Sequence, residues 1–214
     1  MTRLAHAQAL GLPNAAALCR VCDLATAERP AGAPVFWTLG ANQSGKAALS
    51  AWRDLLLPAL HGSDPPRLWP FEGGFATLLR PGAVVIAETY PAEALRQLGL
   101  IPSGSKRRQA DRAAYAPALS AALARLNAAP EPSAARAIAQ GFGSDEAGED
   151  RFDSMLGALC VLSVALGVRP DFVPADPWIQ SWEGWVLGQT SLPLPRGAGG
   201  TIPAMASIVD GAET

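Results

Sequence analysis

The sequence predicts an α/β domain, and three segments carry that reading. Val84-Val85-Ile86-Ala87 is a short, continuous apolar run after the turn pair Pro81-Gly82 and ends at Glu88. Such a run bounded by turn residues reads as a strand buried on both faces, hence a central one. Asp150 to Leu166 is an amphipathic helix, with Phe152, Met155, Leu156, Leu159, Cys160, Ser163 and Leu166 recurring at helical spacing. Val35-Phe36-Trp37-Thr38-Leu39 is a second strand candidate. Strands interleaved with helices imply a layered α/β arrangement.

Local signals define the remaining elements. Leu4 to about Glu28 reads as helix, broken near Gly11-Leu12-Pro13, with Asn14 able to cap the second part. Lys46 to Leu57 is an amphipathic helix expected to stop at Pro58 or soon after. Leu68-Trp69-Pro70-Phe71 opens a further strand region. Pro91 suits the first position of a helix over Ala92 to Leu98 that Gly99 ends. Ser105 to about Asn127 is expected as one long Ala-rich helix, followed by a linker and a short helix to Gln140. Trp182 to Gly188 reads as a late extended segment. Residues 1–192 are expected to form a single domain, and 193–214 a mobile tail rich in Pro and Gly.

Composition narrows the function classes. Of the 214 residues, 49% are hydrophobic and 17% charged, which fits a folded domain rather than a disordered chain. The net charge of −2 argues against binding that depends on nonspecific phosphate contacts, although a local basic patch remains open. No run of about 18 apolar residues is present, so no membrane span is expected. No signal peptide is legible either. Cys19-Arg20-Val21-Cys22 has C-x-x-C spacing, but it lacks a second pair of soft ligands downstream. Core packing is the simpler role for these thiols, with metal or redox use as the alternative. Three cysteines suit a reducing, cytoplasmic compartment.

Two acidic features bear on chemistry. Glu88 leaves a buried strand, where a carboxylate needs a partner or a cation. It either caps the helix that begins at Pro91 or ligates a metal. Glu149-Asp150-Arg151-Phe152-Asp153 opens a helix. The helix dipole accounts for Asp150, whereas Asp153 lies beside the apolar stripe and is not needed as a cap. Carboxylates this close repel unless a cation sits between them, and hard oxygen ligands suit magnesium or manganese. Lys106-Arg107-Arg108 places positive charge at an expected helix start, against the dipole, and a phosphate ligand would relieve that cost. Gly40-Ala41-Asn42-Gln43-Ser44-Gly45-Lys46 matches the phosphate-loop pattern, but Ala47 stands where a magnesium-binding hydroxyl is needed. Asn42 and Lys46 remain candidates for phosphate contact.

Six motifs occur in one order. They are Phe36-Trp37-x-x-Gly40-Ala41-Asn42-Gln43-x-Gly45-Lys46, Leu68-Trp69-Pro70-Phe71-Glu72-Gly73, Glu88-Thr89-Tyr90-Pro91, Lys106-Arg107-Arg108, Gly148-Glu149-Asp150-x-Phe152-Asp153 and Glu183-Gly184-Trp185-Val186-Leu187-Gly188. Over roughly residues 22–189 this order resembles the domain-of-unknown-function 429 family, predicted nucleases of the ribonuclease H-like superfamily. The resemblance implies a ribonuclease H-like mixed sheet flanked by helices. It also implies a metal-dependent phosphodiesterase acting on nucleic acid, with Glu88, Asp150 and Asp153 as catalytic metal ligands for magnesium or manganese. Asn42, Lys46, Lys106 and Arg107 would then contact substrate. Residues 1–34 contain no apolar strand ending in Asp, so the first-strand acid of that superfamily is either lost or lies before Met1. The same fold allows two other functions. One is a binding or scaffold protein without catalysis; the other is a nucleotide-binding enzyme of the actin-like ATPase branch.

Overall fold

The computed structural model describes residues 3–34, 44–101 and 104–194. The expected strand Val35–Leu39, the glycine loop through Gln43 with Asn42, and residues 195–214 lie outside them. The described chain is mixed α/β, with many short helices and one small parallel sheet.

The N-terminal segment is less helical than its alanine content suggests. Helix α1 spans Arg3–Ala9, and Gly11 at φ +69° turns the chain away from it. Asn14 caps as expected, its Oδ1 accepting from Ala17 N at 3.1 Å, but it opens only the 3₁₀ turn Ala15–Leu18. A second 3₁₀ turn covers Val21–Asp23. Helix α2 (Ser44–Ala51) widens into a π turn at Trp52–Leu56 and continues as α3 (Leu57–Leu60). Pro58 thus lies inside the helix, which ends soon after it, at Leu60. Leu57 N already reaches back to Trp52 O in the widened turn, so the ladder is shifted before the missing proline N–H would interrupt it.

Strands β1 (Arg67–Leu68) and β2 (Val85–Ile86) pair in parallel, Arg67 opposite Val85 and Leu68 opposite Ile86. Parallel pairing demands a crossover, and the connection runs through α4 (Phe75–Leu78). Only Val85 and Ile86 form the ladder, and Val84 is 62% exposed, so the run is not buried on both faces as expected. Glu88 adds a parallel bridge to Val186, where its carbonyl accepts from Leu187 N at 2.9 Å. The Trp182–Gly188 segment is thus extended only in its second half. Its first half belongs to the π turn Ile179–Glu183, which ends at Gly184 with φ +71°.

Helix α5 (Pro91–Gln97) begins at Pro91 and is closed by Gly99 at φ +68°, as expected. The predicted helix over 105–127 is two: α6 (Gln109–Ala113) and α7 (Ala116–Arg125). Pro117, in the first turn of α7, supplies no N–H to continue α6. The basic run consequently precedes the helix, with Arg108 at its N-cap. Helix α8 (Pro132–Ala139) leads through the Gly141-Phe142-Gly143 turn to α9 (Gly148–Ala165).

Helix α9 organises the interior. Its predicted stripe is largely buried (Phe152, Leu156, Leu159, Cys160 and Ser163), whereas Leu166 past its end is 53% exposed. Toward its N-terminus it packs into a cluster with Leu95, Tyr115, Leu119 and Ile138. Toward its C-terminus Val161 and Val164 join a second cluster with Trp69, Phe75, Ile179 and Trp185. Fully buried Glu93 on α5 pairs with Arg29 at 3.3 Å, and Arg29 donates to Gln189 Oε1 at 3.1 Å. These contacts dock the N-terminal turns against α5 and the 184–189 segment. Residues 193 and 194, the first of the expected tail, pair back onto Ala25 and Thr26. Among the described residues no helix is long and apolar enough to cross a membrane.

Candidate functional site

Successive side chains of an extended segment point to opposite sides, and this decides where Glu88 goes. Val85 and Ala87 pack into the cluster that contains Val164 of α9. Thr89 continues that face so closely that a Cβ added to Gly157 of α9 would meet its Oγ1 at 2.7 Å. Glu88 therefore points away from α9, and with it away from Asp150 and Asp153. It points at Arg20. The Arg20 guanidinium donates from Nη1 to Oε2 and from Nη2 to Oε1 of Glu88, both at 2.7 Å. This fork-on-fork geometry is the strongest form of arginine–carboxylate contact.

Arg20 gathers more than Glu88. Its Nε and Nη2 donate to the two oxygens of Asp23 at 3.0 Å each. Its Nη1 also reaches the Glu183 carbonyl at 3.4 Å, while the Glu183 carboxylate accepts from Val21 N at 2.8 Å. Asp23 and Glu88 thus share one guanidinium, and Glu183 from a third segment offers it a backbone carbonyl. Burial works against its charge, but the hydrogen bonds with Glu88 and Asp23 carry Arg20 above its ordinary value. Cys22 next to it is buried, and that burial pushes its thiol well above the ordinary range. Cys22 packs in the apolar cluster of Trp69, Phe75 and Val164, so it serves the core. Burial likewise pushes Cys160 up to about 12.

The second acidic feature has its own cation. Lys106 Nζ lies 2.7 Å from both oxygens of Asp153 and 3.8 Å from Glu149. The turn before α6 presents Lys106 because buried Arg112 fastens it from beneath. Arg112 donates to the Lys106 carbonyl, to Gly141 O at 2.9 Å and to Gly143 O at 2.5 Å. Burial raises the Asp153 carboxyl, against the opposing pull of Lys106, and the charges of Glu149 and Asp150 add to the rise. Asp150 itself is exposed. Gly104, Ser105, Lys106, Arg107 and Glu149 rim a cavity of about 330 Å³ floored by Ala92, Leu95 and Tyr115. The Arg107 side chain is exposed and has no partner among the described residues.

Of the predicted site residues, Lys106, Arg107 and Asp153 come together, with Asp150 on the same turn of α9. Glu88 does not join them. Among the described residues no group of three or more His, Cys, Asp or Glu side chains is placed to hold a metal ion. Lys46 is exposed on α2, and Asn42 lies outside the described residues. Sequence reasoning missed Arg20, Asp23 and Glu183. The available signal was Arg20 itself, a charge between two cysteines that both read as core. No protein-family model, curated protein or solved structure matches the chain.

Proposed function

We propose that the chain is a ribonuclease H-like protein that binds its ligand without hydrolysing it, its acidic positions neutralised from within. One observation carries this reading: Glu88 and Asp153 each have both carboxylate oxygens on a cation of the same chain. A magnesium or manganese ion does not fit this arrangement. To ligate one, Glu88 would have to leave a bidentate guanidinium, and Arg20 would keep Asp23 as its carboxylate partner and the Glu183 carbonyl at 3.4 Å. The Arg20 side chain is 18% exposed, so the loss leaves a largely buried charge less well compensated. A surface that stays available to a ligand is the Lys106–Arg107 cavity, where the guanidinium of Arg107 has no partner among the described residues. Titration calorimetry with manganese, together with incubation with single- and double-stranded DNA and RNA, tests the proposal. Neither binding heat nor cleavage is expected. Manganese-dependent cleavage that Asp153→Asn abolishes would replace this reading with the second one.

That second reading is the metal-dependent phosphodiesterase that the motif order implies. The Asp153 carboxyl favours it. Burial and the neighbouring Glu149 and Asp150 hold this group above its ordinary range, and a cation beside it would lower the cost of ionisation.

A further inference from the structure

Two of the chain's tryptophans, Trp69 and Trp185, are 3% and 1% exposed, as large aromatic side chains in a core should be. Trp178 and Trp182 are not. They lie at the π turn Ile179–Glu183 and the residue before it, with 49% and 72% of their surface in solvent. Their ring centroids are 6.0 Å apart and their planes meet at 34°. Phe71, 43% exposed, lies against Gly184 just beyond, where an added Cβ would come within 3.0 Å of the ring. Exposed aromatics grouped in this way mark interaction surfaces far more often than scattered apolar residues do.

Charge selects the partner. No lysine or arginine occurs between Arg169 and Arg196, whereas Asp171, Asp176 and Glu183 all fall there. Asp176 caps the turn, its Oδ1 accepting from Trp178 N at 2.8 Å, and Asp171 accepts from Trp69 Nε1 at 2.7 Å. Among the described residues the bases that reach this segment are Arg20, at the Glu183 carbonyl, Arg29, at Gln189, and Arg169, at the Gly188 carbonyl, all beyond the two tryptophans in the chain. An indole face beside carboxylates attracts cations and repels phosphates, and tryptophan is the best aromatic platform for a guanidinium. A flat group sandwiched between the rings needs about 7 Å, twice the contact distance of roughly 3.5 Å, so the 6.0 Å separation excludes it. The ligand lies on the outer ring faces.

We propose that Trp178 and Trp182 form a docking surface for a basic segment of a partner protein, which lays arginine side chains on these rings beside the carboxylate of Asp176. The surface is independent of whether Asp153 holds a metal. Fluorescence anisotropy of a labelled octa-arginine peptide against the full chain at physiological salt tests it. An exposed cation–π contact is worth roughly a two- to fivefold change in affinity. Trp182→Ala should therefore weaken binding about fivefold, and Trp178→Ala with Trp182→Ala about tenfold or more, while Trp182→Phe retains part of it. Both rings are exposed, so far-UV circular dichroism should not change. An octa-lysine peptide should bind more weakly, and octa-glutamate and oligothymidylate not at all. Arginine-peptide binding that the alanine variants leave intact would reduce the attraction to net charge and overturn the proposal. Oligothymidylate binding that Trp182→Ala removes would overturn it too, because the rings would then be a base-stacking platform. Absence of any arginine-peptide binding would equally refute it.

Discussion

Arg20 and Asp153 show how the same residue types take different roles in different surroundings. Arg20 keeps its charge in a half-buried place because two carboxylates share it. Asp153 has one lysine, and burial outweighs it, so its carboxyl stands above the ordinary 3.8. The folded chain therefore holds the Asp153 proton more tightly than the unfolded chain does. The stability this contributes is complete below the unfolded value and is lost as pH rises through the folded one. Half-buried Asp111 and exposed Asp145 have the opposite sign. Asp111 is lowered by the Ser105 N–H and then Arg108, and Asp145 by Arg151, so what they contribute is lost as pH falls. Asp153→Asn removes only the first dependence. Urea unfolding at about pH 4 and about pH 7 should show the variant gaining on the parent as pH rises. A variant that instead loses ground to the parent between those two pH values would mean that burial does not dominate at Asp153.

At the scale of elements, the close seat of the strand end on α9 decides where Glu88 points. Gly157 permits it, because any side chain there meets Thr89. Gly157→Ala should cost about 1–3 kcal/mol by overpacking, despite alanine's better helix propensity. Thr89→Ala in the same chain should recover most of that loss, because it removes the atom in the way. Equilibrium unfolding of the two single variants and the double variant checks this. Additive losses would show that the two positions do not meet. Elements with strong local signals were legible in the sequence: α9 from its stripe and α5 from Pro91 and Gly99, whereas Asn14 marked where a helical turn starts but not that it ends at Leu18. The break between α6 and α7 was not, because alanine favours helix on both sides and the interruption comes from one proline together with the burial of Arg112 and Tyr115. Lys106 and Asp153 each stood out in the sequence, but their pairing across 47 positions is a product of the folded arrangement.

In the molecule as a whole, α9 belongs to two apolar clusters, one rich in leucine and one holding Trp69 and Trp185. A helix shared by both cannot remain packed in one after the other opens. The described domain should therefore unfold in a single transition. Far-UV circular dichroism is weighted toward the helices of the first cluster, whereas tryptophan emission reports on the second. Their urea transitions should superimpose, and midpoints that separate would divide the molecule into two cooperative units. The α/β character was legible at this scale. The sheet was not: only two residues of the apolar run pair, and the next contact is made by Val186, about a hundred positions away.

The guanidinium at the meeting point of Asp23, Glu88 and Glu183 has a consequence for where this protein can work. A divalent ion in that place would come and go with the surrounding medium, and a sequestering agent could withdraw it. Arginine is tethered by its own backbone and stays protonated at any physiological acidity. The junction of these three chain segments is therefore assembled once, at folding, and owes nothing afterwards to the supply of minerals in the cell.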